Sequence, residues 1–147
     1  MALADQINED LITSMKEGVA SRVAVLRLIK SSLKNEQIKL GHELSEAEVL
    51  KVVQKEAKQR KDSITQYRDA KREDLATAEE AELEIINAYL PQQMDESELV
   101  QLVDDVIKET DTTDMTQMGV VIGAVMQRAA GRADGATVSH AVRKRLS

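Results

Sequence analysis

The chain is expected to fold as an all-α protein: an N-terminal four-helix domain followed by a small three-helix C-terminal domain with a helix-turn-helix-like arrangement. Three observations carry this expectation. The 147 residues contain one proline, Pro91, and six glycines, too little punctuation for the many turns of a sandwich or barrel. Apolar residues recur at three- and four-residue spacing along the chain, and no stretch of strict alternation appears. Tyr67 and Tyr89 are the only aromatic residues, so the core has to be built from Leu, Ile, Val, Ala and Met.

Each element follows from local chemistry. Leu3, Ile7, Leu11, Ile12 and Met15 define a first helix over about residues 2–17, stopped by Gly18 at a left-handed C′ position. Val23, Leu26, Ile29, Leu33 and Ile38 carry a second helix to Gly41. Ser45 and Glu48 form a capping box, in which the serine oxygen accepts a backbone N–H and the glutamate reaches back. The third helix then covers about residues 46–71. The fourth covers about 74–89 and stops at Leu90-Pro91, because proline pushes the residue before it out of the helical region.

Pro91-Gln92-Gln93-Met94 reads as a linker. Asp95 and Glu98 resemble a second capping box, opening a fifth helix that ends at about Glu109. Thr110 to Asp114 is a polar loop. Asp114, with Gln117 in the reciprocal position, caps a sixth helix that runs to about Ala130 and ends at Gly131. Asp134 caps a seventh, with Val138, Ala141, Val142 and Leu146 on one side. The expected division is residues 1–90 and 94–147, and a second piece of only about 54 residues is near the lower limit for independent folding.

Composition excludes several kinds of chemistry. The chain has no cysteine, hence no disulfide, thiolate metal site or cysteine nucleophile, which suits a reducing compartment. His42 and His140 are far apart in sequence, with no carboxylate pattern around them, so neither a metal nor another cofactor is expected. The N-terminus has no basic segment followed by an apolar run, and the longest apolar-plus-glycine run, Gly119 to Met126, is far short of the ~20 residues that span a bilayer. A cytoplasmic protein without membrane contact is expected. Net charge is -6, unevenly distributed: residues 51–72 carry +5, residues 73–114 carry -13 and residues 115–147 carry +4. The acidic whole does not favour nucleic acid, but the two basic regions leave it open.

Several constellations are candidates for function. Gly119 and Gly123 lie four apart inside the sixth helix, where each costs roughly 1 kcal/mol relative to alanine. Either another helix of the same domain packs closely there, or the face receives an RNA backbone or a partner. Gly131-Arg132-Ala133-Asp134-Gly135 is a tight turn. Its left-handed Gly131, N-cap Asp134 and bare first-turn Gly135 make a structural joint, while Arg132 and the free N–H groups of the seventh helix suit a phosphate. Arg143, Lys144 and Arg145 either complement the helix dipole or form a phosphate patch. Lys51, Lys55 and Lys58 form a stripe opposite the apolar side of the third helix, either solvated or facing a polyanion. With no Phe or Trp there is no platform for stacking bases, so RNA contact would be to shape and backbone. Arg60 and Glu82 each interrupt an apolar face with a charge. An antiparallel hairpin turning near Lys71 would set them level, so a partly buried structural ion pair is expected; the alternative is that the fourth helix leaves in another direction and each charge snorkels to water.

The segments Val25–Glu36, Gln59–Ile64, Arg72–Leu75 and Tyr89–Pro91, together with Met118-Gly119, Gly123–Met126, Gly131–Gly135, Val138 and Val142, resemble the YqeY family. That family is related in sequence to the tail domain of the B subunit of the aspartyl/glutamyl-tRNA amidotransferase. The resemblance covers essentially the whole chain. It implies an all-α, two-part fold and contact with the outer body of tRNA. It supplies no catalytic residue, since the amidotransferase's glutaminase and kinase chemistry lies in other domains. The expected function is a tRNA-binding accessory module, non-catalytic on its own, that places Arg132, Arg143, Lys144 and Arg145, with Lys51, Lys55 and Lys58, on phosphates. One alternative is a protein-interaction module that meets amidotransferase or aminoacyl-tRNA synthetase components without touching RNA. The other is a carbon–nitrogen ligase using glutamine as amido donor, an activity suggested by family association.

Overall fold

The computed structural model describes residues 1–147 and contains helices only. The chain divides into two compact units, Met1–Leu90 and Pro91–Ser147. The first contains α1 (Leu3–Glu17), α2 (Ala20–Leu40), α3 (Glu46–Asp69) and α4 (Glu73–Asn87). The second contains α5 (Glu96–Thr110), a 3₁₀ turn (Met115–Gln117), α6 (Met118–Ala129) and α7 (Gly135–Leu146). Pro91–Met94, read from sequence as a linker, belongs to the second unit. The Met94 N–H donates to the Arg132 carbonyl at 2.8 Å, and the Gln93 side-chain amide donates to the Gly131 carbonyl at 3.2 Å.

In the first unit, α3 and α4 share the most extensive contact and run antiparallel. Arg68 near the turn meets Glu73 and Glu80, while Arg60, two turns back on α3, meets Glu79 and Glu82. Lys71, at φ 59°, reverses the chain between them. The core collects Ile7 and Leu11 of α1, Leu26 and Ile29 of α2, Val53 and Ala57 of α3, and Ile86 and Tyr89 from the end of α4. The periodic pattern placed Ile12, Met15 and Ile38 with this core, but the structure leaves all three exposed. The Tyr89 hydroxyl donates to Asp10 at 2.6 Å, tying the end of α4 to α1, and Arg22 lies 3.8 Å from the same carboxylate oxygen. Burial is the main cause pushing the Tyr89 hydroxyl pKa up.

Capping chemistry sets several helix ends. Ser45 and Glu48 form the full reciprocal box. Gly18 and Gly41 end α1 and α2 in the left-handed region. Asp95 and Asp134 accept N–H groups three residues on, each at 2.7 Å. Glu98 does not reach back to complete a box; its carboxylate is held by Arg132 instead. α4 stops two residues before the expected position, because the N–H groups of Tyr89 and Leu90 turn tightly onto Ile86 and Asn87 ahead of Pro91. α6 begins as a 3₁₀ turn: Asp114 accepts from the backbone N–H and hydroxyl of Thr116, and Gln117 falls inside the turn instead of reciprocating.

α6 ends one residue early. Ala130 (φ 47°) is already left-handed ahead of Gly131 (φ 85°). A β-carbon in that region costs roughly 1–2 kcal/mol. Ala130→Gly is therefore expected to stabilise the second unit by up to about 1 kcal/mol in denaturant titration, once the added chain entropy is subtracted.

The core of the second unit is built from Leu99, Val103 and Val106 of α5, Val121, Val125 and Ala129 of α6, Ala133, and Val138 and Val142 of α7. α5 and α7 start from the same corner, where Arg132 holds Glu98 at 2.7 Å. They are tied again further along by Arg145 and Asp104 at 2.6 Å. From that corner the two helices lead off in the same general sense.

Candidate nucleic-acid interface

The structure sorts the basic residues by whether a carboxylate already holds them. Arg132 is held from two sides: its Nε donates to the Gln92 carbonyl at 2.8 Å, and its terminal nitrogen donates to Glu98 at 2.7 Å. With Met94 it clasps the segment before α5 onto the turn before α7. The guanidinium thus already has partners within the unit, although its side chain stays 37% exposed. The turn itself is a joint, with Asp134 occupying the Thr137 N–H of α7, and Gly135 stands in open space at its start. Arg145 donates to Asp104, so it too serves the α5–α7 contact. Acids 34 and 41 residues away in sequence hold these two arginines, beyond the reach of any local pattern.

Arg143 and Lys144 are different. They are exposed at the end of α7, and neither makes an ion pair. Elsewhere in the unit Arg128 is bound to Glu109, and the pairing draws the Glu109 carboxyl pKa down. In the first unit Lys51, Lys55 and Lys58 are all exposed on α3. Lys51 and Lys55 border a shallow groove of about 260 Å³ with Lys39 of α2, Glu36 and Glu48. Lys39 was missed from sequence because the register between α2 and α3 is not a local property.

Gly119 and Gly123 are exposed, and a β-carbon built on either meets nothing within 4 Å. This overturns the helix–helix reading of the pair, because the unit buries the Val121/Val125 side of α6 instead. Val120, beside them, is 65% exposed. The helix carries Gly119 in its first turn and Gly123 in its interior with no packing gain inside the protein. Gly119→Ala and Gly123→Ala are each expected to stabilise the second unit by roughly 0.5–1 kcal/mol in chemical unfolding. A loss of stability would show that the face is occupied in the folded protein.

Arg60 and Glu82 meet on the α3–α4 hairpin, with Nε 3.0 Å from the Glu82 Oε2, and Glu79 joins at 3.5 Å. The guanidinium Nε thus faces two carboxylates, not one. Glu79 was not foreseen, because it lies off the apolar face that singled out Glu82. No group of three or more His, Asp or Glu side chains is arranged to hold a metal ion. No helix is long and apolar enough to cross a membrane.

The model of a family described as Yqey-like protein matches residues 4–146. Three of the curated relatives that this chain resembles are each named Altered inheritance of mitochondria protein 41, mitochondrial. That of Clavispora lusitaniae is 37% identical over 89 residues, which are 60% of this chain and 52% of the relative. That of Pyrenophora tritici-repentis is 27% identical over 130 residues, 87% of this chain and 71% of the relative. That of Saccharomyces cerevisiae is 32% identical over 99 residues, 67% of this chain and 54% of the relative. The chain thus spans about half the length of two of these relatives.

Proposed function

The chain belongs to the YqeY family, and on that premise we propose that it is a tRNA-binding accessory module without a catalytic centre of its own. One observation carries the reading. In the second unit Arg128, Arg132 and Arg145 each meet a carboxylate, whereas Arg143 and Lys144 stand exposed with none. Phosphate oxygens are suitable partners for such cations, and releasing counterions from the RNA favours the contact. Lys51, Lys55 and Lys58, with Lys39 nearby, supply a second set in the first unit. The bare Gly119/Gly123 face lets a ligand's backbone come close to α6. The cysteine-free chain suits the cytoplasm as the place of action.

Titration with total tRNA across a salt series tests this. The variant carrying Arg143→Ala and Lys144→Ala is expected to bind many tRNAs more weakly, all to a similar extent. The slope of log K against log salt should fall by about 1.5–2 for two lost phosphate contacts. Unchanged affinity, with helicity intact, would remove the pair from the mechanism. The exposed apolar side chain of Val120 beside the two glycines favours a second reading, a protein partner on α6 without RNA. That reading takes over if total tRNA fails to bind even at low salt.

A further inference from the structure

The seam between α5 and α7 is open along one flank. It forms a groove of about 420 Å³, and no residue of α6 lines it. The buried Leu99, with Met94, makes an apolar floor, and Val100, Thr137, His140 and Ala141 line it as well. Glu96 and Val100 stand one turn apart on α5, and Thr137, Ala141 and Lys144 follow the same repeat on α7. The floor is therefore a trough between two ridges, the shape into which the ridge of a third helix packs.

The ends of the trough have opposite charge. Asp95 and Glu96 lie at the start of α5, and Lys144 lies near the end of α7, with Arg145 beside it already held by Asp104. Thr137, level with the acidic end, and Lys144 are seven residues apart on one helix, or about 10 Å of rise.

We propose that this groove docks one amphipathic helix of a protein partner. The helix would present a cation and an anion seven residues apart, with large apolar side chains at the two positions between them that face the floor. The charge order decides which way it lies: its Lys or Arg meets Asp95 and Glu96, and its Asp or Glu meets Lys144. The inference does not depend on RNA binding. A partner in the trough would compete with RNA for Lys144, whereas Arg143 projects from α7 about 100° away and stays free.

Fluorescence anisotropy with labelled helical peptides of about 16 residues tests the proposal. The probe has Lys at one position, Leu three and four residues later, and Glu seven residues later. It is expected to bind at least about tenfold more tightly than versions with two lysines or two glutamates, and replacing its leucines with serine should abolish binding. Val100→Asp and Ala141→Asp should each weaken the probe about tenfold or more with helicity unchanged. Lys144→Glu, an exposed change that should not perturb folding, is expected to reverse the preference in favour of the two-lysine peptide. Failure of every peptide to bind would overturn the proposal. So would an unchanged charge preference in the Lys144→Glu variant, or binding of a simple alkyl carboxylate without any peptide, which would mark the groove as a small-molecule site.

Discussion

Ile86→Ala is expected to destabilise the first unit by about 2–5 kcal/mol, the range for emptying a buried aliphatic site. Ile86 is fully buried near the end of α4, within the cluster that also buries Leu26, Ile29 and Val53. α4 commits few large side chains to that core; the others are Tyr89 and the partly buried Leu90, just beyond its end, and the partly buried Leu83 and Ile85. Truncation therefore removes a large share of what docks the helix. Valine and isoleucine neighbours have little rotamer freedom with which to fill the space. Urea unfolding followed by helicity measures the effect, with Val120→Ala, an exposed site, as a control that should change stability by less than about 0.5 kcal/mol. A loss below about 1 kcal/mol at Ile86 would mean that the surrounding helices close over the cavity.

Arg60→Met should cost about 2–4 kcal/mol, most of it from what it leaves behind. The Arg60 side chain is only 14% exposed, and it separates Glu79, 22% exposed, from Glu82, 39% exposed. Methionine keeps much of the aliphatic stem but leaves two carboxylates facing each other beside the apolar hairpin. Glu79 Oε2 is buried without an aligned hydrogen bond, so it depends on the nearby guanidinium for its compensation. Adding Glu79→Gln and Glu82→Gln to Arg60→Met should restore much of the loss, because neutral amides remove the repulsion. A triple variant no more stable than Arg60→Met would show that packing of the arginine stem, not charge, is what the hairpin loses. The partial exposure of Glu82 keeps the expected cost below that of a fully buried pair.

The amino-acid sequence by itself determined which segments are helical and several of their ends, because capping is chemistry within one turn. Ser45 with Glu48, the N-caps Asp95 and Asp134, the left-handed Gly18 and Gly41, and Pro91 act on backbone groups a few residues away, and all act so in the structure. The Arg60–Glu82 pairing was legible for a related reason. Two helices joined by a short turn have essentially one antiparallel register, so a charge out of pattern on each points to the other.

Only the tertiary structure decided which face of α6 is buried. Val120, Val121, Ile122, Ala124, Val125 and Met126 are apolar nearly all round the helix, so periodicity has no preferred direction there. The packing of three short helices turns Val121 and Val125 inward and leaves Gly119 and Gly123 bare. The fates of the basic residues were decided the same way. Arg132 and Arg145 lie next to Arg143 and Lys144 in charge and nearly in sequence, but the first two are held by Glu98 and Asp104 of α5. Which cations remain free for a ligand depends on which helices touch, and contacts between residues tens of positions apart are set by the burial of whole helix faces, a property that no short stretch of sequence carries.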